Sequence, residues 1–237
     1  MKNKIVIMSP YMSWNISEEV RELQQKVMEY FAPEGCDILQ IEMPRKPLIH
    51  GPELTKFMNT TDYEIYVFFN IDSIPLNKEI IPRMIKEAKA GKLIGCSLRN
   101  GSRHLFAGDC GMAFSRELYE KCNTDFNRGI RYLSPDDVEK EMKVCPWNVK
   151  EDMQGKWVDT DTGEKLTYGC EELGIPVILL HSTKVEEVMW KWLDGLELGH
   201  GNTFEKDIWH QAETWNGTDL LLNKLKEINE KIKNETI

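Results

Sequence analysis

No pair of cysteines in this 237-residue chain stands at metal or redox spacing. Cys36, Cys96, Cys110, Cys122, Cys145 and Cys170 include no Cys-x-x-Cys, so neither zinc nor a redox dithiol is signalled and buried free thiols are expected. Long apolar runs are missing as well. The N-terminal run Ile5 to Met8 is too short for a signal peptide, and no later stretch approaches the ~20 apolar residues of a membrane span, which leads to an expectation of a cytoplasmic protein. Positive charge is also scarce. A net charge of −9 argues against a broad nucleic-acid footprint, which needs clustered Lys and Arg, and leaves room only for a localised contact. An acidic chain that holds a polyphosphate anion must overcome repulsion, and a bound divalent cation would invert the local field. No internal repeat or low-complexity segment is present. With 41% apolar and 29% charged residues, the composition is that of an ordinary globular protein.

The elements that periodicity supports alternate in type. Lys4 to Met8 reads as a strand, and Ser17 with Glu18 and Glu19 opens a helix carrying Val20, Leu23, Val27 and Phe31 on one face. A strand from Asp37 to Ile41, a helix through Leu54 and Phe57, and a strand from Ile65 to Phe69 follow. Ile81, Met84, Ile85 and Ala88 keep a helical period, with Pro82 tolerable only in or before the first turn. Leu93 to Ser97 is a further strand. Such alternation predicts an α/β fold with a mostly parallel central sheet and flanking helices. Farther on, a short strand Gly111 to Phe114, a helix from Ser115 to Cys122, a helix within Thr162 to Leu173 stopped by Gly174, and a strand Val177 to Leu180 are expected. Asn123 to Lys156 is polar and resists assignment, although Ser134-Pro135-Asp136-Asp137 resembles a helix start. Leu221, Leu225, Ile228 and Ile232 predict a terminal amphipathic helix. The expected organisation is one domain over residues 1–215 with a helix over 216–237 packed on it.

The most informative stretch is Ile65 to Leu76, IYVFFNIDSIPL. Five consecutive apolar residues read as a strand buried on both faces, and ligands of open α/β sheets bind beyond the carboxyl ends of such strands. Asp72 falls there, where a carboxylate suits a hard cation such as Mg²⁺ or Mn²⁺, or alternatively caps a turn. Asp159 to Asp161 and His181 also fall at predicted element ends. Loops at one edge of a sheet converge, so these residues are candidates for a single cleft.

These segments resemble the GT-A glycosyltransferases, in particular the broad family-two type. Tyr66-Val67-Phe68-Phe69-Asn70-Ile71-Asp72-Ser73-Ile74-Pro75-Leu76 is similar to that group's strand ending in Asp-x-Asp before an apolar-Pro turn, with Asn70 in place of the first aspartate. Phe106-Ala107-Gly108-Asp109-Cys110-Gly111-Met112-Ala113-Phe114-Ser115-Arg116 resembles the glycine-bearing loop and strand near the donor sugar. Trp157-Val158-Asp159-Thr160-Asp161, with Glu172-Leu173-Gly174 downstream, resembles the Trp-Glu-Asp-x-Asp helix start and its exit, with Val158 at the usual Glu. His181, followed by Asn202, Phe204, Lys206 and Trp209, resembles the metal-proximal histidine and the Phe-x-x-Lys-Trp segment, with one extra residue before Trp209. The likeness runs in order over most of Lys4 to Trp209.

The resemblance implies a GT-A fold and metal-dependent, inverting transfer of a sugar from a nucleotide-diphosphate donor to an acceptor hydroxyl. A cation, Mn²⁺ or Mg²⁺, would be held by Asp72 and His181, with His200 a rival ligand. Asp159 is the first choice for the base and Asp161 the second, so Asp159→Asn is expected to leave donor binding nearly intact and cut turnover by at least about a hundredfold. A helix-capping role is the alternative for Asp159. Pro10, Tyr11 and Glu42 are placed for the nucleotide, with Tyr11 stacking on a pyrimidine, which favours a UDP-sugar, and Asn70, Asp72 and Gly108 complete the donor site. Asp109 and Arg116 approach sugar or phosphate, or form a surface salt bridge. Trp190, Trp192, Trp209 and Trp215 suit an acceptor platform or core packing. The acceptor class is open. Asn70 and Val158 keep a catalytically degenerate nucleotide-sugar-binding protein as the alternative. A nucleotidyltransferase is disfavoured because no glycine-rich basic phosphate loop occurs between Ile5 and Ser17.

Overall fold

The computed structural model describes residues 4–44, 50–98, 105–144, 149–186, 200–212 and 218–236, with backbone alone at 144, 182–186, 200–204, 212 and 236. In chain order the elements are β1 (Ile5–Tyr11), α1 (Glu18–Phe31), β2 (Cys36–Glu42), α2 (His50–Thr60), β3 (Ile65–Phe68), β4 (Ser73–Pro75), α3 (Ile80–Lys89), β5 (Leu93–Leu98), β6 (Phe106–Ser115) and α4 (Arg116–Cys122). There follow β7 (Gly129–Tyr132), α5 (Pro135–Val144), β8 (Lys150–Asp152), β9 (Gly155–Thr160), α6 (Glu164–Glu172), β10 (Val177–Leu180), β11 (Ser182–Glu186), β12 (His200–Phe204), β13 (Ile208–Ala212) and α7 (Asp219–Thr236).

The architecture is α/β, built on a six-stranded sheet of order β10-β5-β6-β3-β1-β2. The sheet is mixed. β10 to β5, β3 to β1 and β1 to β2 pair in parallel, whereas β6 runs antiparallel to both β3 and β5. Alternation along β3 explains why both faces are covered. Ile65, Val67 and Phe69 join the core formed with α1, α3 and α7, while Tyr66 and Phe68 join the core formed with α2, α4 and α6. Helix starts follow local chemistry: Ser17 Oγ accepts the Val20 N–H at 3.3 Å and Ser115 Oγ the Leu118 N–H at 3.1 Å, each satisfying an orphan donor. Gly174, at φ +64°, ends α6 in the left-handed conformation.

Two smaller antiparallel sheets were not evident from periodicity: β11-β12-β13-β4 and β7-β9-β8. The first contains strands of three to five residues, and the second occupies the polar stretch that resisted assignment. The expected four-residue strand at Gly111 is instead the second half of a ten-residue β6. Its first half escaped notice because Asp109, Cys110 and Gly111 form a bulge, lying between the pairs Gly95↔Met112 and Cys96↔Gly108 with nothing opposite them. The α7 helix buries Leu221, Leu225 and Ile228 in the core shared with α1, and Asn229 Nδ2 donates to the Leu23 carbonyl at 3.2 Å. Among the described residues, no helix is long and apolar enough to cross a membrane.

Candidate active site

The carboxyl edge of the sheet gathers the polar residues. Pro10 and Tyr11 end β1 opposite Ile41 and Glu42 of β2, and the Ile71 N–H donates to the Pro10 carbonyl at 3.3 Å, so the nucleotide candidates and the Asn70 to Asp72 turn share one rim. The Tyr11 ring is buried, and the Arg21 guanidinium lies 4.3 Å from its centroid, which occupies one of its faces. Glu42 is exposed and accepts a hydrogen bond from Ser13 Oγ. A Cβ at Gly108 would lie 2.1 Å from Leu98 Cδ1, so a larger residue there would displace that side chain.

Beyond β3, the carboxylate of Asp72 meets an imidazole that sequence reading did not assign. His210 Nδ1 lies 3.2 Å from Asp72 Oδ1 and 3.0 Å from Ser73 Oγ, because β13 pairs with β4 in the register His210↔Ser73. Burial alone would lower the His210 pKa, but the charges of Asp72, Cys110 and Asp109 and the hydrogen bond to Asp72 outweigh it and push the group up to about 9. Asp109, on the β6 bulge, is buried, which raises its pKa; His50 and His210 oppose that rise, and Asp161 and Asp72 add to it. His50 Nδ1 stands 3.3 Å from Asp109 Oδ2.

The loop before α6 closes the group. Asp161 Oδ1 receives Arg128 Nη2 at 2.7 Å and the Thr162 N–H at 2.8 Å, while Glu164 Oε2 accepts the Asp161 N–H at 2.8 Å. A bond from the Ala107 N–H to Thr167 Oγ1, 3.0 Å, ties α6 to the β6 segment carrying Asp109. Phe126, stacked on Tyr119, anchors the turn that presents Asn127 and Arg128.

Within this neighbourhood His50 Nε2, Asn70 Oδ1, Asp109 Oδ2, Asn127 Oδ1 and Thr160 Oγ1 are buried without a hydrogen-bond partner among the described residues. Buried polar atoms are normally satisfied, so such a concentration marks a place built for a polar ligand. By contrast, a groove of about 460 Å³ between α1 and α7, lined by Phe31, Leu76 and Ile228, contains no unpartnered buried polar atom among its lining residues.

Other expected site residues lie elsewhere. Asp159 is on β9 with its side chain 57% exposed and ion-paired to Lys150. His181 is exposed at the end of β10, three strands from β3, or roughly 14 Å at ~4.8 Å per strand. Arg116 holds the opposite end of the sheet, donating to the carbonyls of Met58 and Thr61 at 2.8 and 2.6 Å. Trp209 is buried core. The side chains of His200, Asn202 and Phe204, and all of Cys145, Trp190, Trp192 and Trp215, lie outside the described residues. The two residues expected to hold a cation, Asp72 and His181, are not brought together, and the side chain of the rival ligand His200 is outside the described residues. Asp72 faces His210, which also meets the Ser73 hydroxyl, and among the described residues no three His, Cys, Asp or Glu side chains form a metal-holding set. His50 and His210 were legible only as a pre-glycine turn and as the neighbour of Trp209.

No family model matches the sequence, and no curated protein matches it. Among solved structures, the catalytic domain of Drosophila beta1,4-galactosyltransferase 7 in complex with xylobiose is 11% identical over 75% of this chain and 64% of that one, with a TM-score of 0.42. The mannosyltransferase PcManGT from Pyrobaculum calidifontis, in complex with GDP-Man and Mn²⁺, is 11% identical over 76% of this chain and 55% of that one, with a TM-score of 0.44. A protein from STIV is 12% identical over 50% of this chain and 68% of that one, with a TM-score of 0.34. The chain thus spans less than two thirds of either glycosyltransferase chain, and likenesses at these scores assign neither a family nor a reaction.

Proposed function

We propose that the chain is a glycosyltransferase of GT-A type that moves a sugar from a nucleotide-diphosphate donor to an acceptor hydroxyl. The observation that carries this reading is the set of unpartnered polar atoms of His50, Asn70, Asp109, Asn127 and Thr160, gathered at the carboxyl edge of the sheet beside Asp72 and Asp161. A sugar presents several hydroxyls, each both donor and acceptor, and can satisfy amide, imidazole and carboxylate groups together. The ordered resemblance of Tyr66–Leu76, Phe106–Arg116 and Trp157–Asp161 to donor-site segments supports the same conclusion. Pro10, Tyr11 and Glu42 are the residues proposed to border the nucleotide, and Arg128, an exposed cation beside Asp161, is proposed to meet its diphosphate.

The test is thermal unfolding with UDP-glucose, UDP-galactose or GDP-mannose, each with and without Mn²⁺. A donor at a hundred times its Kd stabilises the native state by about 2.7 kcal/mol. Stabilisation by at least one donor is expected. The Mn²⁺ arm is separate because Asp72 and His181 are not brought together. Absence of any stabilisation sinks the reading. Asn70 at the first acidic position favours one second reading, a donor-binding protein without transfer. Donor hydrolysis separates the two, since a pure binder releases no nucleoside diphosphate.

A further inference from the structure

We propose that His50 and Asp109 form a proton-transfer dyad in which His50 removes the proton of the acceptor hydroxyl. The inference rests on the transferase reading and adds to it the group that activates the acceptor. Both residues are placed by backbone features. The β6 bulge turns Asp109 toward the site edge, and His50 is the first residue of α2. Gly51 lets that helix start press against the Phe126–Asn127 turn, since a Cβ at residue 51 would lie 2.2 Å from the Phe126 carbonyl oxygen. The dyad is therefore held between β6 and the turn that carries Arg128.

The chemistry follows from which nitrogen is engaged. His50 Nδ1 faces Asp109 Oδ2 at 3.3 Å, a separation that catalytic contacts shorten once substrate is bound. In the tautomer that closing of this contact would favour, with the proton on Nδ1, Nε2 carries the lone pair, and among the described residues Nε2 has no hydrogen-bond partner. The side chain is 37% exposed while Nε2 itself is buried, so the ring stands at the edge of the site with Nε2 turned inward. During transfer the acceptor O–H proton passes to Nε2. The acceptor oxygen forms the new bond to the anomeric carbon, and the bond from that carbon to the donor diphosphate breaks with its electron pair on the departing phosphate oxygen. Asp109 keeps its negative charge and stabilises the imidazolium, which makes it a positioning residue.

The rival bases are less well disposed. Asp161 Oδ1 is already occupied by Arg128 and the Thr162 N–H, and Asp159 is exposed on another sheet.

The experiment measures hydrolysis of UDP-glucose, UDP-galactose and GDP-mannose, in which water serves as acceptor, for the wild type, His50→Gln, Asp109→Asn and the double variant. Donor binding is followed by calorimetry. Both single variants are expected to lose at least about a hundredfold in kcat, measured at saturating donor so that any change in donor affinity is read apart from it, and to show no further loss when combined. Hydrolysis by His50→Gln at the wild-type rate with donor bound overturns the dyad alone. Failure of the wild type to bind any of the three donors overturns the transferase reading and the dyad together. Nitrogen-15 NMR of the wild type supplies a readout independent of turnover and of variant folding. It is expected to show His50 protonated at Nδ1 and switching tautomer in Asp109→Asn, whereas a wild-type Nε2–H tautomer overturns the proposal.

Discussion

Two aspartates at the ends of two sheets have opposite surroundings. Asp72, beyond β3 of the six-stranded sheet, has 12% side-chain exposure and a histidine and serine within 3.2 Å of one another's polar atoms, whereas Asp159, on β9 of the three-stranded sheet, is 57% exposed with Lys150 as its partner. The sequence marks Asp72 as chemistry-bearing because it follows an apolar strand, and Asp159 because it falls at an expected helix start and by resemblance to the Trp-Glu-Asp-x-Asp segment. The difference shows that a carboxylate's influence is set by what excludes water from it. A charge pair near the surface works through a high dielectric and contributes ~0–1 kcal/mol, while removing one member of a buried pair leaves an uncompensated charge.

The largest effect expected from this contrast is on stability. His210→Ala removes the partner of Asp72 and is expected to destabilise the fold by about 3–5 kcal/mol in urea unfolding with unchanged m-value, against less than ~1 kcal/mol for Lys150→Ala. Equal effects from the two variants would erase the distinction between the regions. A smaller effect should appear with pH. Because the folded state raises the His210 pKa from 6.5 to about 9, the folded chain retains a proton that the unfolded chain releases in that interval. The pair's contribution is therefore complete below pH 6.5 and lost as pH rises through about 9, a change of roughly 3 kcal/mol at most. Unfolding curves for the wild type and His210→Asn should converge between pH 6 and pH 9.5. A constant gap would show that protonation of His210 is not linked to folding.

Much of the layered scaffold was legible because its signals are local. Ser17 and Ser115 cap the helices they precede, Val177 to Leu180 is the strand that its apolar run implies, and Leu221, Leu225 and Ile228 form a buried stripe. The carboxyl edge of the sheet was legible to the same degree, since Pro10, Tyr11, Glu42, Asn70 and Asp72 each follow a recognisable strand. What escaped depends on pairing between distant segments. His210 reaches Asp72 only through the β13–β4 register, and Asp109 is turned by a bulge that has no residue opposite it. His50 gains its partner across fifty-nine positions, a separation that no periodicity reports. Short strands such as β4 are particularly opaque, because three residues cannot display alternation.

Asp159→Asn provides the finest discrimination. The resemblance-based expectation assigns it at least a hundredfold loss of turnover, whereas its position implies almost none. Its carboxylate is mostly solvated and bonded to Lys150, and Asp161, two residues on, is the member of that segment electrostatically coupled to Asp109. Replacing one acceptor oxygen by an amide at an exposed site alters stability by ~0.5 kcal/mol or less, and it should change donor hydrolysis by less than about twofold. Asp161→Asn, measured beside it, should cost about tenfold by weakening the hold on Arg128, mainly in KM for the donor. A hundredfold loss in kcat for Asp159→Asn with donor binding retained would instead mean that β9 moves its carboxylate onto the site once substrate is bound, and the base would belong to the three-stranded sheet.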